Sequence, residues 1–130
     1  MEIKVRYLSK LGHTKAIAEA IAEGAHVKAI SILDDDMIID KTDVLFLGGA
    51  PYANVMDKKL RQYALSLDNF LVKKVVLFTT SNWSRRTVNS LRKILEGKNI
   101  LVEKEYFYSH MLKIGSRIDK AKEFGNKYSK

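Results

Sequence analysis

The chain has 130 residues, 46% of them apolar and none cysteine, enough for one domain-sized core and incompatible with disulfides, thiol catalysis or cysteine-ligated metals. Twenty-three Lys and Arg against fifteen Asp and Glu leave a net charge of +8, which favours anionic ligands or acidic proteins, while the absence of any recognition motif argues against nucleic acid. No apolar run approaches the roughly 18 residues of a membrane span, and "MEIKVRYL" passes straight into strand pattern, so a cytoplasmic protein without membrane attachment is expected, as a monomer or weak dimer.

Apolar runs alternate with helical patterns along the chain. Residues 2–8 read as a strand. Residues 13–24 read as a helix with Ile17, Ala18, Ile21 and Ala22 on one face and Lys15, Glu19 and Glu23 on the other, ended by Gly24. "HVKAISIL" (26–33) alternates like an edge strand, and "DVLFLGGA" (43–50) is continuous and apolar, like a strand covered on both faces. The 34–42 link between them is too short for a crossover helix and has room for one turn. A helix follows over 56–67, with Leu60, Tyr63, Ala64 and Leu67 on its stripe, then a buried strand over 72–80. Residues 84–98 carry Val88, Leu91 and Leu95 at helical spacing, with Ser84 as N-cap and Gly97 near the end. "ILVEKEYFY" (100–108) reads as a fifth strand, and residues 116–130 close the chain as an amphipathic helix. The pattern predicts a single α/β domain over 1–130, a three-layer, doubly wound, five-stranded parallel sheet.

In open sheets of this kind ligands bind beyond the carboxyl ends of the strands, which singles out the loops 9–14, 49–56 and 79–84. In the first, a strand ending near Leu8 meets a helix starting near His13, so backbone N–H groups face outward beside the Ser9 and Thr14 hydroxyls. Gly12 lets the backbone come close, and the corner reads either as an anion site or as a self-satisfied helix cap. The second loop, "LGGAPYANVMDKKL", reads as a strand-to-helix turn bent at Pro51, or as a platform where Tyr52 offers its ring to a flat ligand. In the third, "TTSNWSRR", the only tryptophan, Trp83, lies outside the apolar pattern and is read as facing a ligand.

The first loop resembles the flavodoxin signature: Val5, Tyr7, Ser9, Gly12, Thr14, Ala18 and Ile21 stand at its places. Arg6, Leu11 and His13 depart from it, Leu11 replacing a hydroxyl residue that commonly meets phosphate. The resemblance implies the strand order 2-1-3-4-5 and an FMN cofactor. It further implies that Ser9, Lys10, Leu11, Gly12, His13 and Thr14 hold the FMN phosphate. Ala50, Pro51, Tyr52, Ala53 and Asn54 would line the flavin from the second loop, and Thr80, Ser81, Asn82 and Trp83 from the third. An electron carrier is implied, in which the flavin carries the chemistry, no side chain is catalytic and no metal is bound. Its partners would be redox proteins, acidic ones given the charge. An FMN-dependent oxidoreductase of the quinone or protoporphyrinogen type, or a flavin-free module on the same fold, stands as the alternative.

The remaining features are less informative. The aspartates at 34–36 read as a solvated turn, and His13, His26 and His110 lack metal-ligand spacing. Arg6 on a central strand requires a partner that the sequence does not name. "SHMLKIG" (109–115) has no assigned role.

Overall fold

The computed structural model describes the chain except Asp36, Ala53, Asn54, Asn82 and Trp83, and describes only the backbone of Tyr52 and Val55. The elements are β1 (Ile3–Tyr7), α1 (His13–Ala25), β2 (Ala29–Ser31), β3 (Val44–Gly49), β4 (Pro51–Tyr52), β5 (Val55–Met56), α2 (Lys58–Ser66), β6 (Lys74–Ser81), α3 (Arg86–Gly97), β7 (Leu101–Val102), β8 (Phe107–His110) and α4 (Ile114–Lys127). The main sheet runs β2-β1-β3-β6, with every pairing parallel, as expected. Its fifth position is shared: β7 pairs the start of β6 and β8 pairs its end.

The continuous apolar strands are covered on both faces. Leu45, Leu47, Val75 and Leu77 point into a core with α2 and α3, where Leu60, Leu91 and Leu95 are fully buried. Val5, Phe46, Val76 and Phe78 point into the opposite core with α1 and α4, against Ile17, Ile21 and Phe124. Each such side chain contributes about 1.5–3 kcal/mol on leaving water, so the alternation along β3 and β6 fixes which helix lies on which side.

Four expectations are corrected. The predicted fifth strand over 100–108 is two short strands, because Glu103, Lys104 and Glu105 interrupt the apolar pattern and the chain leaves the sheet there. Gly24 does not end α1: the helix runs on through Ala25, and His26, at φ 61°, makes the left-handed turn. Gly24 serves close packing instead. A Cβ there would lie 1.9 Å from the Lys122 carbonyl oxygen, and one at Gly125 would lie 2.0 Å from that of Ile21, so the α1 and α4 backbones touch through two glycines. Ser84 lies one residue outside the N-cap of α3, which is Arg85, and its hydroxyl accepts a long 3.3 Å bond from the Arg86 N–H. The second loop is an antiparallel hairpin, β4–β5, rather than a simple turn.

Arg6 finds its partner in Asp35, so the 34–36 run is more than a solvated turn. The guanidinium lies within 2.8 Å (Nη2) and 2.9 Å (Nε) of one Asp35 oxygen, and Nη1 donates to the Val5 carbonyl at 3.1 Å. A buried charge is tolerated when paired and hydrogen-bonded, and this pair ties the segment after β2 to the centre of the sheet.

Candidate functional site

At the carboxyl ends of β1, β3, β6 and β8 a cavity of about 70 Å³ opens between the loops. It is lined by Ser9, Leu11, His13 and Thr14 from the first loop, Ala50 and Pro51 from the second, Thr80 from the third, and Met111 after β8. Three loops separated by some thirty residues each therefore converge, as the sheet topology requires.

The first loop is built by two local devices. The Leu8 N–H bonds to the Gly48 carbonyl at 3.1 Å, holding the chain to the sheet as it leaves β1. Ser9 then accepts the Gly12 N–H on its hydroxyl at 3.1 Å, and Gly12 turns left-handed at φ 91°, a conformation that costs an L side chain energy. Gly12 is the N-cap of α1 and supplies no side chain, and the first turn holds no acidic residue. The Gly12 carbonyl accepts from Ala16, so the N–H groups of His13, Thr14 and Lys15 have no acceptor within the helix. Ser9 serves the turn, and among the described residues no side chain caps the α1 donors.

Thr14 is buried, and its hydroxyl lies 2.7 Å from that of Thr80, also buried. Each hydroxyl carries one proton, so one donates within the pair and the other keeps its proton for a third group. Nearby, Thr79 donates to the Gly49 carbonyl at 2.7 Å and joins β6 to β3 below the cavity. Ser81 is not among the described lining residues and donates to the Ser84 carbonyl at 2.7 Å, shaping the exit from β6.

Lys10 is placed differently from the other first-loop residues. Its ammonium lies 3.0 Å from Asp57, the residue that caps α2 by accepting from the Lys59 N–H at 2.8 Å. Burial pushes the Asp57 carboxyl up, but the Lys10 and Lys59 hydrogen bonds outweigh it and hold the group below the usual carboxylate range. Tyr7, beneath the loop, is raised by burial and by the nearby charges of Glu19 and Asp34. Of the other residues expected at the site, Ala53, Asn54, Asn82 and Trp83 lie outside the described residues, as does the side chain of Tyr52.

Met111 is the lining residue that sequence reasoning missed. Its N–H bonds to the Ser81 carbonyl at 3.1 Å, which also accepts the Tyr108 hydroxyl at 3.1 Å. The signal was present: "SHMLKIG" follows the last strand, and the rule that selected three loops selects this fourth one equally.

No protein-family model matches the sequence, and no curated protein does. Solved structures do match. A flavodoxin from the domain Archaea superposes with a TM-score of 0.76 at 20% identity, covering 99% of this chain and 96% of that one. The fold is flavodoxin-like. Flavodoxin 1 from Bacillus cereus gives 0.81 at 17% identity, over 98% and 97% of the two chains. The Flv1 flavodiiron core from Synechocystis gives 0.78 at 15% identity, covering 99% of this chain but 35% of that larger protein. Among the described residues, no helix of this flavodoxin-like chain is long and apolar enough to cross a membrane.

Proposed function

We propose that the chain binds FMN across the carboxyl ends of β1, β3 and β6 and works as an electron carrier. The observation that carries the reading is the α1 N-terminus: open backbone donors beside the Thr14–Thr80 hydroxyl pair, in a cavity with no acidic side chain among its described lining residues. That donor set suits a phosphate, since each hydrogen bond to a charged acceptor is worth about 1.5–3 kcal/mol and the helix dipole adds to it. Leu11 removes one hydroxyl that the family signature commonly offers, and the Thr14–Thr80 pair has one proton left to donate. The 70 Å³ space suits the phosphate end of the ligand alone. The ring would lie along the hairpin and the third loop, toward Tyr52, Ala53, Asn54, Asn82 and Trp83.

Bound FMN supplies electron transfer in one- and two-electron steps, and the chain positions it. Backbone N–H groups of α1 hold the phosphate, while Pro51, Ala50 and Met111 keep water from the apolar wall. A competing reading, an FMN-dependent reductase, draws on the likeness to a protein described as a flavone reductase, at a TM-score of 0.68 and 10% identity.

The test is titration of the apoprotein with FMN and, separately, with riboflavin, followed by quenching of flavin fluorescence. Loss of the phosphate contacts should weaken riboflavin by about tenfold or more, each 1.4 kcal/mol being one decade. Equal affinity for the two would refute the phosphate assignment, and no binding of either would refute the flavin reading. Turnover of NADPH with a quinone or flavone would favour the reductase.

A further inference from the structure

The charge of the chain is unevenly placed. All strands of the main sheet run parallel, so the returning helices start at its carboxyl end and the positive poles of four helix dipoles converge there. A negative side chain in the first turn ordinarily complements such a pole, yet none of α1 to α4 carries one. Exposed Lys15, Lys58, Lys59, Arg85, Arg86 and Lys113 stand there instead. Among the described acids at this end, Asp35 is engaged by Arg6 and Asp57, the N-cap of α2, by Lys10, and exposed Asp34 is outnumbered by these cations. The amino end of the sheet is mixed: Lys4 meets Glu2, Lys73 meets Asp43 and Lys74 meets Glu103.

Apolar side chains are exposed inside this basic field. Leu11 is 74% exposed and Leu112 is 82% exposed, and Leu11 shares the cavity lining with Met111, the neighbour of Leu112. Single exposed leucines are ordinary; two beside one cavity, at a sheet end rich in exposed cations, match a protein-docking patch with an apolar centre and charged surroundings. A nucleic-acid backbone would use the cations and leave the leucines wet.

We propose that the carboxyl end of the sheet is a docking face for an acidic redox protein, steered by the cations and seated on Leu11 and Leu112. Its purpose rests on the electron-carrier reading, but the docking itself needs no flavin. The cations raise the encounter rate of a negative partner and repel a basic one.

The experiment uses the full-length apoprotein and four probes: an acidic 2Fe–2S ferredoxin, basic cytochrome c, duplex DNA and phosphatidylglycerol vesicles. Ferredoxin should bind at low ionic strength and weaken about tenfold as salt rises from about 0.01 M to about 0.15 M, where the screening length falls from about 30 Å to about 8 Å. The double variant Arg86→Glu/Lys113→Glu, which adds the acids these helix starts lack, should weaken it by about tenfold or more. Lys28→Glu/Lys41→Glu, the same charge change at the opposite end, should alter it by less than about twofold. Leu112→Ser should weaken binding with the salt dependence unchanged. Equal loss in the two double variants would overturn the proposal, since net charge alone would then be acting. So would no ferredoxin binding, cytochrome c binding as tightly, or tighter capture of DNA or vesicles. Because the probe is the apoprotein, failure to bind FMN leaves these results readable, and a negative result here leaves the FMN reading standing.

Discussion

The Thr14–Thr80 pair offers a sharp test of the site's construction. Replacing Thr14 with Val keeps the side chain's shape and removes one hydroxyl, leaving that of Thr80 buried without its 2.7 Å partner. An orphaned buried hydroxyl costs about 1–3 kcal/mol, whereas the added methyl returns at most about 0.8 kcal/mol. Thr80→Val has the mirror consequence. The double variant orphans neither group, so it should be more stable than the sum of the two single losses by about 1–3 kcal/mol. Urea unfolding followed by far-UV circular dichroism gives all four stabilities and closes the cycle. Additivity within about 0.5 kcal/mol would mean that the hydroxyls do not interact and that the first and third loops are not joined here. FMN titration of the same proteins adds a second readout. The double variant takes away the pair's one spare proton, so it should weaken FMN by about tenfold or more while leaving riboflavin unchanged.

Gly24 at the α1–α4 contact and Gly97 at the end of α3 predict opposite effects from the same substitution. Gly24→Ala should destabilise by about 1–3 kcal/mol despite its better helix propensity, because the backbones must part to admit a Cβ 1.9 Å from the Lys122 oxygen. Gly97→Ala, with nothing within 4 Å, should be neutral or stabilising by up to about 1 kcal/mol; equal denaturation midpoints for the two variants would contradict this packing. For Asp57, a folded-state pKa held low means a stabilisation fully present above the ordinary carboxylate value of about 4 and lost as the pH falls through the lowered one. Asp57→Asn keeps a capping oxygen, so wild type should exceed it by only a few tenths to about 1 kcal/mol near neutral pH, and the two should converge in urea titrations as the pH falls through the lowered value.

Much of the architecture was legible because its signals are local and repeated. The apolar runs around β1, β3 and β6 and the stripes of α1 to α3 lie close to where periodicity placed them, and parallel order followed from their alternation. What escaped was set by contacts distant in sequence. Nothing near Gly24 distinguishes a helix-ending glycine from one pressed against a second helix about a hundred residues on. Arg6 could be flagged as needing a partner, but Asp35 is 29 positions away and sits in a run that looks like an ordinary polar turn. At the site, Ser9 and Thr14 were read as acting alike. The fold separates them, giving Ser9 to the turn at Gly12 and Thr14 to a hydroxyl in another loop.

The split fifth strand bears on how that site is held. Had residues 100–108 formed one uninterrupted strand, its side chains would have run along β6 in a single register. With the chain leaving the sheet at 103–106, β8 re-enters beside the last residues of β6, pairing Thr80 with Ser109 and Ser81 with His110. Tyr108 can then donate its hydroxyl to the Ser81 carbonyl, and Met111 its N–H to the same oxygen. Arg117 on α4 donates to the Tyr108 carbonyl at 2.9 Å, with its guanidinium 4.6 Å from the centre of the Phe107 ring. Two hydrogen bonds on one carbonyl anchor the chain where β6 ends and the third loop begins, and a cation from the next helix braces their source. Thr80 is thereby fixed from the β8 side while Thr14 meets it from α1. The short 2.7 Å hydroxyl contact is the meeting point of the two halves of the sheet's carboxyl end, which is why a ligand bound there would sense both.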